Sequence, residues 1–210
     1  MKRTDAKVRQ RCREVYGAEW YATNKRARQD EAIAFLATPS LSVDVDVAQL
    51  ADLVKKARPT ATIESITRVD TKGMQPSYDA LLDTFDDKTV RRWLFHGTTA
   101  DAVSSISLGG FNRSYCGRNA TVYGRGVYFA RDLSYSAHTT YSPPDENGVK
   151  TIIAASVLTG RSRCGASHDI EPGIKEGIAY HSTVDHVDDP AIFVVYKDFQ
   201  AIPEYLIRLR

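Results

Sequence analysis

Residues 118–141 read RNATVYGRGVYFARDLSYSAHTTY, and the fold is decided here. Gly124 and Gly126 stand directly before an apolar run, Val127 to Ala130, and tyrosines recur at 123, 128, 135 and 141. A dinucleotide fingerprint would need a third glycine where Phe129 stands, and it would follow a strand and open a helix. Here the glycine pair leads into a strand, so a Rossmann phosphate loop does not fit. Bare backbone beside aromatic rings suits a flat ligand instead, because glycine lets a ring approach the main chain closely. On that basis Gly124 and Gly126 are expected to bring the GVYFA strand close to such a ligand.

Outward from this stretch, the chain divides into two textures. Residues 4–37 are rich in helix formers and free of proline, so they read as helix, with Gly17 as a possible break. DVAQLADLVKKA (46–57) carries Val47, Leu50, Leu53 and Val54 on one stripe and ends at Arg58-Pro59. After Pro59 the β-branched and alternating character rises. TIESITRV, RRWLFHGTT, GVYFA, KTIIAASVLTG, AIFVVYK and EYLIRLR read as strands. PSYDALLDTFDD, TADAVSSISLGG and DLSYSAHTTY read as short helices, the second stopped by Gly109-Gly110. IKEGIAYHSTVDHVDD (174–189) reads as loop. Strands do not alternate with long helices, so the class is α+β rather than doubly wound. The division is a helical N-terminal extension over residues 1–60 and a second domain over 61–210.

With 210 residues and 42% hydrophobic composition, the chain can bury a core without disulfides or metals. A net charge of +2 gives no general pull toward nucleic acid or membrane. No apolar run reaches the roughly 18 residues needed to span a bilayer. The charged start, MKRTDAKVRQRCREVYGAEW, lacks the apolar core of a signal peptide. Cys12, Cys116 and Cys164 are odd in number and far apart, which fits reduced thiols in an intracellular compartment. Cys164/His168 and His181/His186 have zinc-like spacing, but a single cysteine in a long polar segment argues for hydrogen-bonding histidines and no metal. Lys2, Arg3, Lys7, Arg9, Arg11 and Arg13 interleave with Asp5 and Glu14. That is the pattern of a solvated helix face, with nucleic-acid contact as the weaker reading.

FHGTT (95–99) places an imidazole beside a glycine at a strand end, followed by small hydroxyl residues. Taken in order, LFHGTT, GFNRSYCGRNATVYGRGVYFA, SYSAHTTYSPPDENG, VLTG and FVVYKDFQAIPEYLI resemble the catalytic domain of the poly(ADP-ribose) polymerase superfamily. These are the diphtheria-toxin-like ADP-ribosyltransferases, and the resemblance is to the mono-ADP-ribosylating branch. It runs from about residue 61 to 210 and implies split antiparallel sheets with flanking short helices. It further implies NAD as the substrate, with no metal.

Residue by residue, the resemblance implies that His96 bonds the adenosine ribose. It implies that the Gly97 backbone clamps the nicotinamide amide with Ser136, and that Tyr128 and Tyr141 hold the ring from two sides. Thr98 and Arg113, or Arg118, would lie toward adenosine and pyrophosphate. Ile192 stands where chain-building members carry glutamate. Isoleucine neither accepts a hydrogen bond nor takes a proton. The His96–Tyr128–Ile192 set therefore implies transfer of one ADP-ribose to a protein acceptor, the chain itself included. Glu171, Glu176, Asp185, Asp188 and Asp189 are the nearby acids that could compensate. The expected location is intracellular, cytoplasmic or nuclear. Two alternatives stand beside this: the same chemistry on a nucleic-acid terminal phosphate, and a catalytically silent NAD-binding module.

Overall fold

A computed structural model of the chain describes residues 45–115 and 121–210. The helix read over residues 4–37, together with Cys12, Cys116 and Arg118, lies outside the described residues. By contacts, Val47–Arg210 form one compact unit.

Helix α1 (Val45–Ala57) buries Leu50 and Val54 completely, as the stripe of apolar positions three and four apart requires. Lys55 and Lys56 sit in its last turn, where cations favour the helix C-terminus. Although its sequence falls in the N-terminal extension, α1 packs onto Phe95, Ile152, Tyr205 and Ile207.

The strands are β1 (Ile63–Arg68), β2 (Val90–Thr98), β3 (Val127–Ala130), β4 (Lys150–Leu158), β5 (Ser162–Cys164), β8 (Ser182–Val184), β9 (Ile192–Val195) and β10 (Ala201–Leu209). They form one sheet in the order β1-β10-β4-β2-β3-β9-β8-β5. β5 and β8 run parallel and the other pairs are antiparallel. β4 lies inside the sheet and is buried at nearly every position because both of its faces are covered. On one face Phe95, Ile152, Ala154 and Tyr205 meet α1 and the short helix α4 (Leu133–Ser136). On the other, Leu94, Ile153, Ala155 and Phe193 meet Phe111 and Ile106, the latter from α3 (Ala100–Gly109). Helix α2 (Gln75–Thr84) packs Tyr78 against Leu158 and Ile202.

The feature that positions the site is a pinch. β2 pairs along β4 from Val90 to Thr98, yet it meets β3 in register only where Phe95 faces Ala130. Two ladders, β1-β10-β4-β2 and β3-β9-β8-β5, are thus joined at one point and splay apart beyond it.

Residues 174–189 depart from the loop expectation. Ile174–Lys175 (β6) and Ile178–Ala179 (β7) form a hairpin, turned at Glu176 and Gly177 with φ of 54° and 77°. Positive φ at both central residues is what a tight hairpin turn demands. β8 is polar in sequence but wholly buried. Ser182 Oγ donates to the Thr159 carbonyl and Thr183 Oγ1 to that of Tyr123, so its hydroxyls carry no desolvation penalty.

Candidate active site

His96 lies at the splay, half-buried between Phe111 and Phe129, with ring centroids 5.3 and 5.6 Å away. Its Nδ1 is 2.8 Å from the Tyr128 carbonyl oxygen. A carbonyl only accepts, so Nδ1 carries the proton and the neutral ring presents Nε2 as an acceptor. Burial pushes the imidazole below its ordinary range, against the opposing pull of that hydrogen bond.

Gly97 follows. A Cβ there would lie 2.3 Å from the Ser136 carbonyl oxygen and 2.8 Å from Tyr141 Cβ. The close approach of the 136–141 segment therefore requires glycine. Ser136 is buried, and its Oγ donates to the Phe95 carbonyl at 2.9 Å. The Phe95 carbonyl is thus turned toward Ser136, and strand alternation directs the Gly97 N–H and C=O to the same side.

Tyr128 is held by its hydroxyl, which donates to the Gly124 carbonyl and accepts from the Tyr123 N–H. Its ring packs with Ile192, Val194 and Tyr196. Ile192 faces Ala130 across the β3–β9 ladder and is buried. His96, Gly97, Ser136, Tyr128 and Ile192 are therefore carried on neighbouring strands and on α4 about the pinch. Thr98 is buried at the end of β2. Arg113 is exposed, in a 3₁₀ turn (Arg113–Tyr115), and its guanidinium donates to the carbonyls of Tyr196 and Ile170.

The glycines of the quoted stretch serve another purpose than the expected one. A Cβ on Gly124 would strike the Tyr196 hydroxyl at 1.8 Å, and one on Gly126 the Val195 carbonyl at 2.4 Å. The space beside them is taken by β9 and the residue that follows it: Gly126 lies against the β9 backbone and Gly124 against the Tyr196 side chain.

Several supporting residues carried no signal in the sequence. Lys150 Nζ donates to the Ala137 carbonyl and to Thr139 Oγ1, both at 2.9 Å. Ser142, fully buried, donates to the Thr151 carbonyl. Together with Ser136 they fasten the segment that bears Tyr141. Tyr135 stacks on Tyr141 with centroids 4.9 Å apart and planes 20° from parallel. Among the acids named from sequence, Asp185 comes to the start of β9: its Oδ1 accepts from the N–H groups of Ala191 and Ile192, each at 3.0 Å. Asp189 pairs with Arg131, and Glu171 and Glu176 are exposed. His181 stacks on Phe85 at 4.2 Å, accepts at Nδ1 from the Arg161 N–H and meets Asp86 at Nε2. Both of its ring nitrogens are engaged in hydrogen bonds within the fold.

Comparison with known proteins bears directly on this arrangement. The family model described as the poly(ADP-ribose) polymerase (PARP) catalytic domain matches residues 45–170. The chain belongs to that family. The protein mono-ADP-ribosyltransferase PARP14 of Homo sapiens is 42% identical to it over 156 residues, 70% of this chain and 9% of that protein. The mouse (Mus musculus) protein mono-ADP-ribosyltransferase PARP10 is 40% identical over 152 residues, 69% of this chain and 16% of that protein. The chain thus spans a small part of these relatives' length. In fold, it is similar to the crystal structure of the PARP domain of Arabidopsis RADICAL-INDUCED CELL DEATH1. That likeness has a TM-score of 0.65 and 18% identity, and it covers 79% of this chain and 98% of the other. The PARP match begins at residue 45, the start of α1, in keeping with α1's place on the core. The α+β class and the split sheet agree with a PARP fold.

A stability prediction follows from the histidines of this PARP domain. His96 and His181 are both held below the ordinary histidine range, chiefly by burial. Above about pH 6.5 both are neutral whether the chain is folded or unfolded. Below it the unfolded chain takes up protons that the folded chain resists, so folding stability falls as the pH drops from that point. Melting temperature measured from pH 8 to 5 is expected to be level and then to decline below about 6.5. A His96→Phe variant, which keeps an aromatic ring against Phe111 and Phe129, is expected to show a shallower decline. An unchanged slope in that variant would show that His96 already protonates freely.

Proposed function

We propose that this PARP domain cleaves the nicotinamide–ribose bond of NAD and transfers a single ADP-ribose to a protein acceptor, the chain itself included. The observation that carries the reading is the convergence of His96, Gly97, Ser136 and Tyr128 about the pinch between β2 and β3. The residues fit the group. An acceptor nitrogen, a bare strand backbone, a buried hydroxyl and two tyrosines suit a ribose hydroxyl, an amide and a flat cationic ring.

When bound, NAD supplies the ADP-ribosyl group and a nicotinamide that leaves neutral once its bond to ribose breaks. The chain's own part is to hold and orient. His96 Nε2 accepts from the adenosine ribose, its tautomer locked by the Tyr128 carbonyl. The Gly97 N–H and C=O, with Ser136 Oγ, hold the amide. Tyr128 and Tyr141 bracket the ring, where aromatic faces favour a cation. Thr98 and Arg113 extend the site toward adenosine and pyrophosphate. Fixed dipoles of this kind act by positioning and electrostatic preorganisation.

Ile192 limits the outcome. Its side chain offers no acceptor for a ribose hydroxyl and no base to activate one for elongation. The relatives' names, protein mono-ADP-ribosyltransferase, support the same limit. Residues 61–210 form the catalytic domain in this reading, with α1 as the part of the N-terminal extension that packs on it. The reading includes an intracellular setting, cytoplasm or nucleus, which the odd number of widely spaced cysteines supports. Among the described residues no helix is long and apolar enough to cross a membrane.

The test is incubation with labelled NAD, followed by mass spectrometry of the chain and of the released base. Single adducts of one ADP-ribose, matched by free nicotinamide, are expected. Ladders of polymer would overturn the single-unit claim, and absence of nicotinamide release would overturn the enzyme.

A further inference from the structure

We propose that Tyr135 is a positioning residue for the site: it backs the ring of Tyr141 and leaves that ring one face for a planar aromatic amide. This rests on the reading of Tyr141 as a wall of the nicotinamide site.

The two rings are stacked, 4.9 Å between centroids and 20° between planes, and their hydroxyl oxygens are 2.8 Å apart. Tyr135 precedes Ser136 on α4, and the two side chains go opposite ways. Ser136 is buried against β2, while Tyr135 is 48% exposed and lies over Tyr141. The backbone of Tyr141 is already fixed. It presses on Gly97, and Lys150 and Ser142 tie the chain down on either side of it. None of these contacts sets the rotation of the phenol ring. Tyr135 does so, through the stack and through the hydroxyl pair, while His138 meets the ring only at a tilt, 6.3 Å away.

Two consequences follow. With one face covered by Tyr135, a flat ligand stacks only on the other, so the depth of entry is defined before the ligand arrives. The Tyr141 hydroxyl is paired with that of Tyr135, and the ring face is what Tyr141 offers a flat ligand. A wall fixed in advance lowers the ordering cost of binding. The ring contact is already made in the ground state, before the bond breaks, so the benefit falls on binding rather than on the chemical step.

The experiment uses the full chain and nicotinamide as probe, titrated calorimetrically, with NAD steady-state kinetics alongside. Tyr135→Ala removes the backing ring. It is expected to weaken nicotinamide binding and to raise KM for NAD by roughly threefold to tenfold, the range of one aromatic pair. Melting temperature is expected to hold and kcat to stay within about twofold, as for lost uniform binding. Tyr135→Phe keeps the stack and is expected to restore both constants to within about twofold. Wild-type affinity in Tyr135→Ala would overturn the proposal. So would a fall in kcat accompanied by a lower melting temperature, which marks a merely structural role. Failure of the unaltered chain to bind nicotinamide would instead overturn the nicotinamide reading and this inference with it.

Discussion

Gly97→Ala is expected to abolish ADP-ribose transfer, lowering kcat/KM by more than about a hundredfold, on the scale of an ångström-sized displacement at a reacting site. The new Cβ would stand 2.3 Å from the Ser136 carbonyl oxygen, 2.8 Å from Tyr141 Cβ and 3.0 Å from the Tyr141 carbonyl carbon. These partners are backbone and its first side-chain atom, not the yielding tip of a long side chain. Nor can the segment retreat. Ser136 is bonded to Phe95, Ala137 to Lys150, and Ser142 to Thr151. Relief must come from moving 136–141 off β2, which separates Ser136 and Tyr141 from the Gly97 backbone they flank. The overpacking also costs about 1–3 kcal/mol of stability. Gly109→Ala is the matching control, since nothing lies within 4 Å of its added Cβ. Kinetics and melting curves on both variants check the point. Near-normal transfer by Gly97→Ala would show that the wall is not as close as described.

The largest loss of stability is expected from Gln200→Leu, a change that keeps the side chain's size and removes its polar groups. Gln200 is fully buried. Its Nε2 donates to the carbonyls of Leu158 and His181, at 2.9 and 2.7 Å. Its Oε1 accepts from the N–H groups of Tyr196 and Lys197, at 3.1 and 3.0 Å. One amide thus joins the end of β4, the residue before β8 and the end of β9. Leucine would leave two donors and two acceptors without their partner, water replacing it most readily at the exposed Lys197, at a cost of about 3–6 kcal/mol. For a chain of this size that is a fall of roughly 10 °C or more in melting temperature. Denaturant melts should show a lower midpoint at unchanged slope. A loss under about 1 kcal/mol would mean that water reaches these groups after all.

Legibility in the sequence followed the range of each interaction. β4 announced itself because a strand covered on both faces is mostly apolar, and six of the nine residues of KTIIAASVL are. Helix α3 was legible to its last residue, since Gly110 at φ 77° ends it in the conformation glycine favours. The polar strand β8 was not legible. Its hydroxyls find partners at Thr159 and Tyr123, which stand far off in the chain. Gly124 and Gly126 were noticed for a sound local reason and assigned to the wrong neighbour. What fills the space beside them is Tyr196 and Val195, brought there by the β3–β9 register.

The candidate site divides in the same way. Its residue types, and their order along the chain, were determined by the sequence alone: an imidazole before a glycine, a strand tyrosine, a serine, a second tyrosine, an isoleucine. Chemistry of that kind is carried by the side chains themselves and survives without coordinates. Only the tertiary structure decided the proton on His96, the side to which the Gly97 backbone turns, the fastening of 136–142 by Lys150 and Ser142, and the backing of Tyr141 by Tyr135. Each of these depends on strand register and on the pinch at Phe95 and Ala130. Register is settled by packing among residues distant in the chain, where no local pattern records it.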